Sequence, residues 1–184
     1  SLSFGEAIER DLLTDYQVVI IGVDDPTIAK WIENRELIKT ESGEIMDSES
    51  LAAYIGLLKA TKEYDLNRII SFHSRIKAAK EFSLDLPSLF DHIPEKHLPN
   101  GKIFSDFVSG KMSSFERKIK IENLKELADV DRGLLSNARC LSEGVDVPAL
   151  DGVAFIDPKG SEVDIVQAVG RAIRLSEEKK IGTI

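Results

Sequence analysis

Two arginines near the carboxyl end of the chain have the residue type and spacing to bind an anion of high charge density, such as a phosphate group. Residues 161–174 read Ser-Glu-Val-Asp-Ile-Val-Gln-Ala-Val-Gly-Arg-Ala-Ile-Arg. On a helix, Gln167, Arg171 and Arg174 share one polar stripe, because residues three or four apart are neighbours. Guanidinium groups stay charged and donate paired hydrogen bonds to phosphate oxygens. Taken alone, this pattern favours a solvated amphipathic helix, because helices with two arginines on one face are common, and a helix face that binds phosphate is the alternative.

The segment before this helix supplies a second group of candidate ligands. Residues 136–148 read Ser-Asn-Ala-Arg-Cys-Leu-Ser-Glu-Gly-Val-Asp-Val-Pro and follow a predicted strand. Asp146, on a loop at a strand end, can accept hydrogen bonds from sugar hydroxyls, and free amides around Gly144 can hold phosphate oxygens. An ordinary βα loop with turn residues at Gly144 and Pro148 is the alternative.

Strands and helices alternate from residue 68 onward, and this alternation would position both segments. The predicted strands lie at 69–72, 102–108, 133–136, 151–156 and from 180 to the last residue. The predicted helices begin at Ser74, at Ser113 or Ser114, and at Ser161, each with a serine as its N-cap. In the second helix Phe115, Ile119 and Leu127 are expected to face inward. Such alternation predicts a parallel sheet with helices on both faces.

The first third of the chain has a different character. The run Tyr-Gln-Val-Val-Ile-Ile-Gly-Val at 16–23 is nearly continuously β-branched, which predicts a strand buried on both faces. Helices are predicted at 5–13, 27–39 and 49–63. Between 24 and 49 acidic residues are concentrated, which indicates a solvated surface.

Composition restricts the classes of function. The net charge of −8 argues against a broad basic surface for nucleic acid but leaves room for a narrow phosphate track. One cysteine, Cys140, excludes an internal disulfide, and a reducing, cytoplasmic setting is expected. The histidine spacing fits no zinc pattern, so no metal ligand is predicted. No apolar run is long enough to span a bilayer.

Four segments resemble parts of the second RecA-like lobe of superfamily 2 helicases. Glu-Gly-Val-Asp-Val-Pro at 143–148 resembles motif V, and Gln-x-x-Gly-Arg-x-x-Arg at 167–174 resembles motif VI. Residues 68–82 resemble motif IV, and Ser-Gly-Lys-Met-Ser-Ser-Phe-Glu-Arg at 109–117 is similar to a further segment of that lobe. The sequences of these motifs most resemble those of DEAD/DEAH-like helicase subunits of restriction-type systems. The resemblance implies an α/β fold: a RecA-like three-layer α/β/α domain with a mainly parallel sheet, plus a helical segment before motif IV.

The resemblance also implies roles for single residues. Arg171 and Arg174 match the motif VI arginines, which reach the γ-phosphate bound on the first lobe and stabilise the phosphoryl-transfer transition state. Gln167, Gly144 and Asp146 match residues on the ATP side. The residues implied along the nucleic-acid backbone are Ser71, His73, Ser74, Arg75, Lys111, Asn137 and Arg139.

Three of these residues have plainer alternatives from the residues themselves. Ser74 fits a helix N-cap, His73 a polar residue at a strand end, and Lys111 a solvated lysine. For Arg171 and Arg174 the functional interpretation is favoured.

No Gly-x-x-x-x-Gly-Lys-Ser/Thr segment and no Asp-Glu magnesium box occurs in the sequence. In the family these parts lie on the first lobe. ATP and Mg²⁺ are therefore expected to bind only when that lobe is present, and neither is expected to bind to this chain alone. The isolated chain is expected to be inactive in ATP hydrolysis. The expected divisions are 1–25 (connection from the first lobe and first strand), 26–64 (helical acidic segment) and 65–184 (the lobe, truncated in its last strand).

The predicted function is one lobe of an ATP-dependent nucleic-acid helicase or translocase. Its expected partners are the first lobe of the same polypeptide and DNA, with double-stranded DNA favoured, or RNA, away from any membrane. One alternative is a helicase-like binding module without turnover. Another is an unrelated doubly wound nucleotide-binding domain, but the single glycine in Ile-Ile-Gly-Val-Asp at 20–24 argues against a dinucleotide site.

Overall fold

The computed structural model describes residues 4–22, 26, 46, 48–90, 93, 95–128, 130–138, 150–157, 165, 169–170 and 181–184. Within these residues one sheet contains six strands: β1 (Asp15–Gln17), β2 (Arg68–His73), β3 (Ile103–Ser109), β4 (Arg132–Ala138), β5 (Gly152–Phe155) and β6 (Ile181–Thr183). The strand order is β1-β6-β5-β2-β4-β3, and every pair is parallel. The parallel sheet predicted from the alternation is confirmed.

Across the described ranges, the helices with assigned bounds are α1 (Phe4–Glu9), α2 (Ser48–Glu63), α3 (Ile76–Asp85) and α4 (Ser114–Lys125), with short 3₁₀ turns at Pro87–Leu89 and Glu95–His97. Helices α2 and α3 cover one face of the sheet and α4 covers the other. Among the described residues, no helix has the length and apolar character needed to cross a membrane.

Alternating residues of the central strands feed two separate cores. Ile69 and Leu134 pack with apolar side chains of α2 and α3 on one face. Their neighbours Ile70 and Leu135 pack with α4 on the other face. Successive side chains of a strand point to opposite faces, so a strand covered on both sides is apolar at nearly every position. The arrangement is the expected three-layer α/β/α domain, and α2 belongs to its core.

Helix α4 begins at a capping box on Ser113, one of the two serines predicted as its N-cap. The amide of Glu116 donates to Ser113 Oγ over 3.2 Å, and Glu116 Oε2 accepts from the Ser113 amide over 2.7 Å. These bonds satisfy amides that the first turn of a helix leaves without intrahelical partners. The bonds from the hydroxyl and the amide of Ser113 also lower the pKa of the Glu116 carboxyl.

The inward face predicted for α4 is wrong in part. Phe115 is 73% exposed and Ile119 is 44% exposed, whereas Ile121 and Leu124 are buried. The helix has two apolar stripes, and periodicity does not distinguish between them. The stripe with Leu124 faces inward and packs closely on Gly133 of β4, where an added β-carbon would lie 2.3 Å from Leu124 Cδ1.

The strand predicted at 16–23 is shorter and more exposed in the structure than expected. Only Asp15–Gln17 forms the strand, and Val18 and Ile20 are 65% and 95% exposed. β1 is at the edge of the sheet and pairs with β6. The β-branched run indicated a strand correctly, but burial depends on what covers the strand, which local sequence does not encode.

Candidate nucleic-acid-binding edge

The polar residues of the motif IV segment lie where the parallel strands end. His73 of β2 and Ser109 of β3 both align with Ala138 of β4, so the three strands finish level with one another. The segments that follow them therefore meet at one edge of the sheet, which we call the carboxyl-end edge. In open parallel sheets ligands bind outside this edge. The structure thus brings Ser74, Arg75 and Lys111 to the same side of the molecule.

The residues immediately after β2 are exposed at this edge. We call Ser74 and Arg75 the Ser74–Arg75 corner, and both are exposed. Arg75 occupies the N-cap position of α3 with extended backbone (φ −127°, ψ 143°) and makes no side-chain cap hydrogen bond. Lys111 is exposed in the turn after β3, where the Met112 amide donates to the Ser109 carbonyl over 3.1 Å.

The interpretation of Ser74 as the N-cap of α3 is wrong. The cap position belongs to Arg75, and Ser74 bonds in another direction. Its amide donates to Asp157 Oδ2 over 2.6 Å, and its hydroxyl also hydrogen-bonds the Asp157 carboxylate. The reason is tertiary: β5 runs parallel to β2, with Phe72 aligned to Phe155, and this places Asp157 beside the end of β2.

A layer of buried polar side chains lies behind the edge. Ser71, His73, Ser136 and Asn137 are between 0% and 3% exposed. Ser71 Oγ is 3.0 Å from His73 Nε2 and donates to Ser136 Oγ over 3.2 Å. Buried hydrogen bonds of this kind link adjacent strands in one register. Among the predicted nucleic-acid residues, Ser71, His73 and Asn137 therefore sit behind the surface that Ser74, Arg75 and Lys111 form.

Burial determines the charge of the histidine in this layer. Loss of solvation lowers the pKa of His73 to about 4, and the nearby Asp157 carboxylate opposes this only in part. The imidazole is thus neutral at pH 7. Its ring also packs against Phe82 of α3, with ring centroids 4.9 Å apart.

Asp157 is the residue at this edge that the sequence analysis did not single out. Its partial burial would by itself raise the pKa of the carboxyl, but hydrogen bonds from the amide and hydroxyl of Ser74, with nearby His73 and Arg75, lower the pKa on balance. The carboxylate is therefore ionised at neutral pH. The signal available in the sequence was an acidic residue directly after a predicted strand and before Pro158.

The residues predicted on the ATP side lie outside the described residues. They are Gln167, Gly144, Asp146, Arg171 and Arg174, and Arg139 of the nucleic-acid set lies outside as well. Close to them in sequence, Ile165, Val169 and Gly170 have helical backbone, and Val169 is buried. This agrees with the helix predicted to begin at Ser161. In the part of the chain that the structure describes, no group of three or more His, Cys, Asp or Glu side chains could hold a metal ion.

Residues 50–176 match the family described as helicase conserved C-terminal domain. The chain belongs to this helicase family. The match runs from α2 through the predicted motif VI and thus includes the carboxyl-end edge. The resemblance to the second RecA-like lobe of superfamily 2 helicases is confirmed.

Solved structures give the same result for the fold. An ATP-dependent Type ISP restriction-modification enzyme, LlaBIII bound to DNA, matches 99% of this chain with a TM-score of 0.80 and 30% identity, and the match covers 12% of that enzyme. Domain 2 of the DEAD-box helicase Mss116p, bound to an RNA duplex, shares the fold at a TM-score of 0.52 and 20% identity, covering 73% of this chain and 48% of that one. The placement near restriction-type helicases is thereby confirmed.

Two viral proteins are similar in sequence. Putative helicase 22 of Sulfolobus islandicus filamentous virus (isolate Iceland/Hveragerdi) is 29% identical over 142 residues, which is 75% of this chain and 25% of that protein. Probable helicase A859L of African swine fever virus (isolate Pig/Kenya/KEN-50/1950) is 26% identical over 184 residues, 97% of this chain and 18% of that protein. The chain therefore spans a quarter or less of these two relatives.

Proposed function

We propose that this chain is the C-terminal lobe of an ATP-dependent DNA translocase or helicase and forms part of the track that holds the nucleic-acid backbone. The observation that carries the proposal is the carboxyl-end edge of a helicase-family lobe, where Arg75 and Lys111 are exposed beside the amide-rich start of α3. Guanidinium and ammonium groups at such an edge suit phosphate oxygens. Ser71, His73 and Asn137 support this track from behind, and Arg139 extends it.

The second half of the proposal concerns ATP. Arg171 and Arg174 act as arginine fingers towards a nucleotide held by the first lobe, with Gln167, Gly144 and Asp146 lining the same cleft. Two guanidiniums and an amide can donate to the oxygens of a triphosphate, and a carboxylate can accept from the hydroxyls of its ribose. Mg²⁺-ATP, when bound between the two lobes, supplies the phosphoryl group for hydrolysis. This chain's own contribution is to place positive charge where negative charge develops.

Double-stranded DNA is the proposed substrate. The support is the similarity to the DNA-bound Type ISP enzyme over nearly the whole chain. The net charge of −8 is consistent with a narrow track because few cations need to face the backbone. In this proposal closure of the two lobes around ATP moves the track relative to the first lobe, and hydrolysis reverses the closure.

The nucleic-acid track is tested by replacing Arg75 with alanine in the full-length parent protein. We expect duplex affinity to fall about three- to tenfold, because one phosphate contact is lost. The logarithmic dependence of affinity on salt concentration should also become shallower by about one unit. Both quantities are measured by fluorescence anisotropy with a labelled duplex over a range of salt concentrations.

Arg10→Ala is the matched control. Arg10 is also exposed, but it precedes β1 and lies at the opposite, amino-terminal end of the strands. It should leave both affinity and salt dependence unchanged. The proposed track is contradicted when Arg75→Ala binds duplex DNA like the wild type, or when both variants weaken binding equally.

A further inference from the structure

Asp157 connects the end of β5 to the Ser74–Arg75 corner. Its Oδ2 accepts from the Ser74 amide over 2.6 Å, and its carboxylate also accepts from the Ser74 hydroxyl. One residue earlier, the Ile156 amide donates to the Phe72 carbonyl over 3.2 Å, which continues the pairing of β5 with β2. Both donors of Ser74 are therefore held by one carboxylate at the position where the chain turns from β2 into α3.

The same two strands carry a second connection of this kind at their other end. Asp151, just before β5, accepts from the Asn67 amide at Oδ2 over 2.9 Å and from the Arg68 amide at Oδ1 over 2.7 Å. Asp151 and Asp157 thus have similar structural roles, since each links β5 to β2 by accepting hydrogen bonds from backbone amides. They differ in location, because Asp151 is at the amino-terminal end of the strands and Asp157 is at the carboxyl-end edge.

We infer that Asp157 is a positioning residue for nucleic-acid binding, which holds the Ser74–Arg75 corner in the conformation that presents Arg75 to the DNA backbone. The inference rests on the proposed function and names a residue outside the set that contacts DNA. Arg75 is the next residue after Ser74, so fixing the amide and hydroxyl of Ser74 fixes the backbone from which the Arg75 side chain extends. A side chain that is already oriented loses less conformational entropy when it binds.

The sign of the effect separates positioning from simple electrostatics. The ionised Asp157 carboxylate stands at an edge proposed to face phosphates and repels them. If its charge were all that mattered, removing it would strengthen DNA binding. A positioning role predicts the opposite, namely weaker binding in spite of a more favourable charge.

The experiment compares Asp157→Ala, Asp157→Asn and Asp151→Asn in the full-length parent, with duplex affinity measured by fluorescence anisotropy and thermal stability measured in parallel. Asp157→Ala should weaken duplex binding about tenfold, because both bonds to Ser74 are lost. Asp157→Asn keeps one oxygen that can accept from the Ser74 amide, so it should weaken binding about threefold. Asp151→Asn should bind duplex DNA like the wild type, although it alters the same pair of strands. In an Arg75→Ala background, Asp157→Ala should change affinity by less than about twofold, because the side chain that it positions is absent.

Several outcomes overturn the inference. Asp157 variants that bind as tightly as the wild type, or more tightly, would show that the carboxylate positions nothing that DNA needs. An equal loss of affinity in Asp151→Asn would show a general loosening of β5 against β2. A wild-type parent that does not bind duplex DNA would overturn the proposed function and this inference together, whereas a binding-competent wild type with unaffected Asp157 variants overturns the inference alone. If Asp157→Ala does not fold, the Asp157→Asn and Asp151→Asn pair still decides the question.

Discussion

Replacing Arg174 by alanine in the full-length parent is expected to slow ATP cleavage about a thousandfold or more while ATP still binds. The reason is that an arginine finger interacts with charge that develops in the transition state and contributes little to binding of the ground state. The measurement is single-turnover hydrolysis of labelled ATP at saturating duplex DNA, together with ATP affinity from equilibrium binding.

Arg174→Lys is the informative control for this prediction. Lysine keeps the positive charge but does not reproduce the planar, two-pronged donation of guanidinium, so a rate between those of wild type and Arg174→Ala is expected. Turnover of Arg174→Ala at the wild-type rate would contradict the assignment. In that case the Gln167–Arg174 stripe is a solvated helix face, and the chain shares the family's fold without the mechanism proposed for it.

The free energy of unfolding of this chain should fall by roughly 2–3 kcal/mol between pH 7 and pH 4.5 because of His73 alone. The folded-state pKa of His73 is about 4, below the ordinary histidine value of 6.5, because burial removes its solvation. Between these two values the unfolded chain binds a proton that the folded chain does not, so stability decreases as pH decreases through this window. Asp157, whose pKa is also lowered, loses its contribution only below the ordinary carboxyl pKa of 3.8, and so outside the window.

The measurement is urea unfolding at a series of pH values for wild type, His73→Gln and His97→Gln. His73→Gln should be less stable at pH 7, because it disturbs the buried contact with Ser71, but its stability should change less between pH 7 and pH 4.5. His97→Gln, at a half-buried position of the otherwise exposed Glu95–His97 turn, controls for the loss of a histidine as such. An unchanged pH dependence in His73→Gln would contradict the burial of a neutral imidazole behind the edge.

The central strands were predictable from sequence because their environment is uniform. Ile69-Ile70-Ser71-Phe72 was predicted as a strand, and β2 is buried along almost its whole length. In a sheet covered on both faces every position is selected for burial, so a short apolar run carries a clear signal. The serine N-cap of α4 was also predictable, as Ser113 or Ser114, since a cap involves residues close together in sequence, and the structure places it at Ser113.

Features that depend on distant residues were not predictable in the same way. Phe115 belonged to one apolar stripe of α4 and Leu124 to another, and the buried one is the stripe that packs on Gly133 of a different strand. Ser74 had the right residue type for an N-cap, but its amide and hydroxyl instead donate hydrogen bonds to the carboxylate of Asp157, 83 residues away in sequence. The polar members of the candidate edge were found through a family resemblance, whereas Asp157 became visible only from the pairing of β5 with β2.

The most direct test of the central claim is the steady-state ATPase rate of the wild-type, full-length parent with and without duplex DNA. If the lobe joins a DNA track to an ATP site, the ATPase rate should rise at least about tenfold with duplex DNA and saturate with DNA concentration. The reason is that nucleic acid and ATP would then both favour the same closed arrangement of the two lobes. An ATPase rate that is the same with and without duplex DNA would contradict the account, because the carboxyl-end edge would then have no connection to nucleotide hydrolysis.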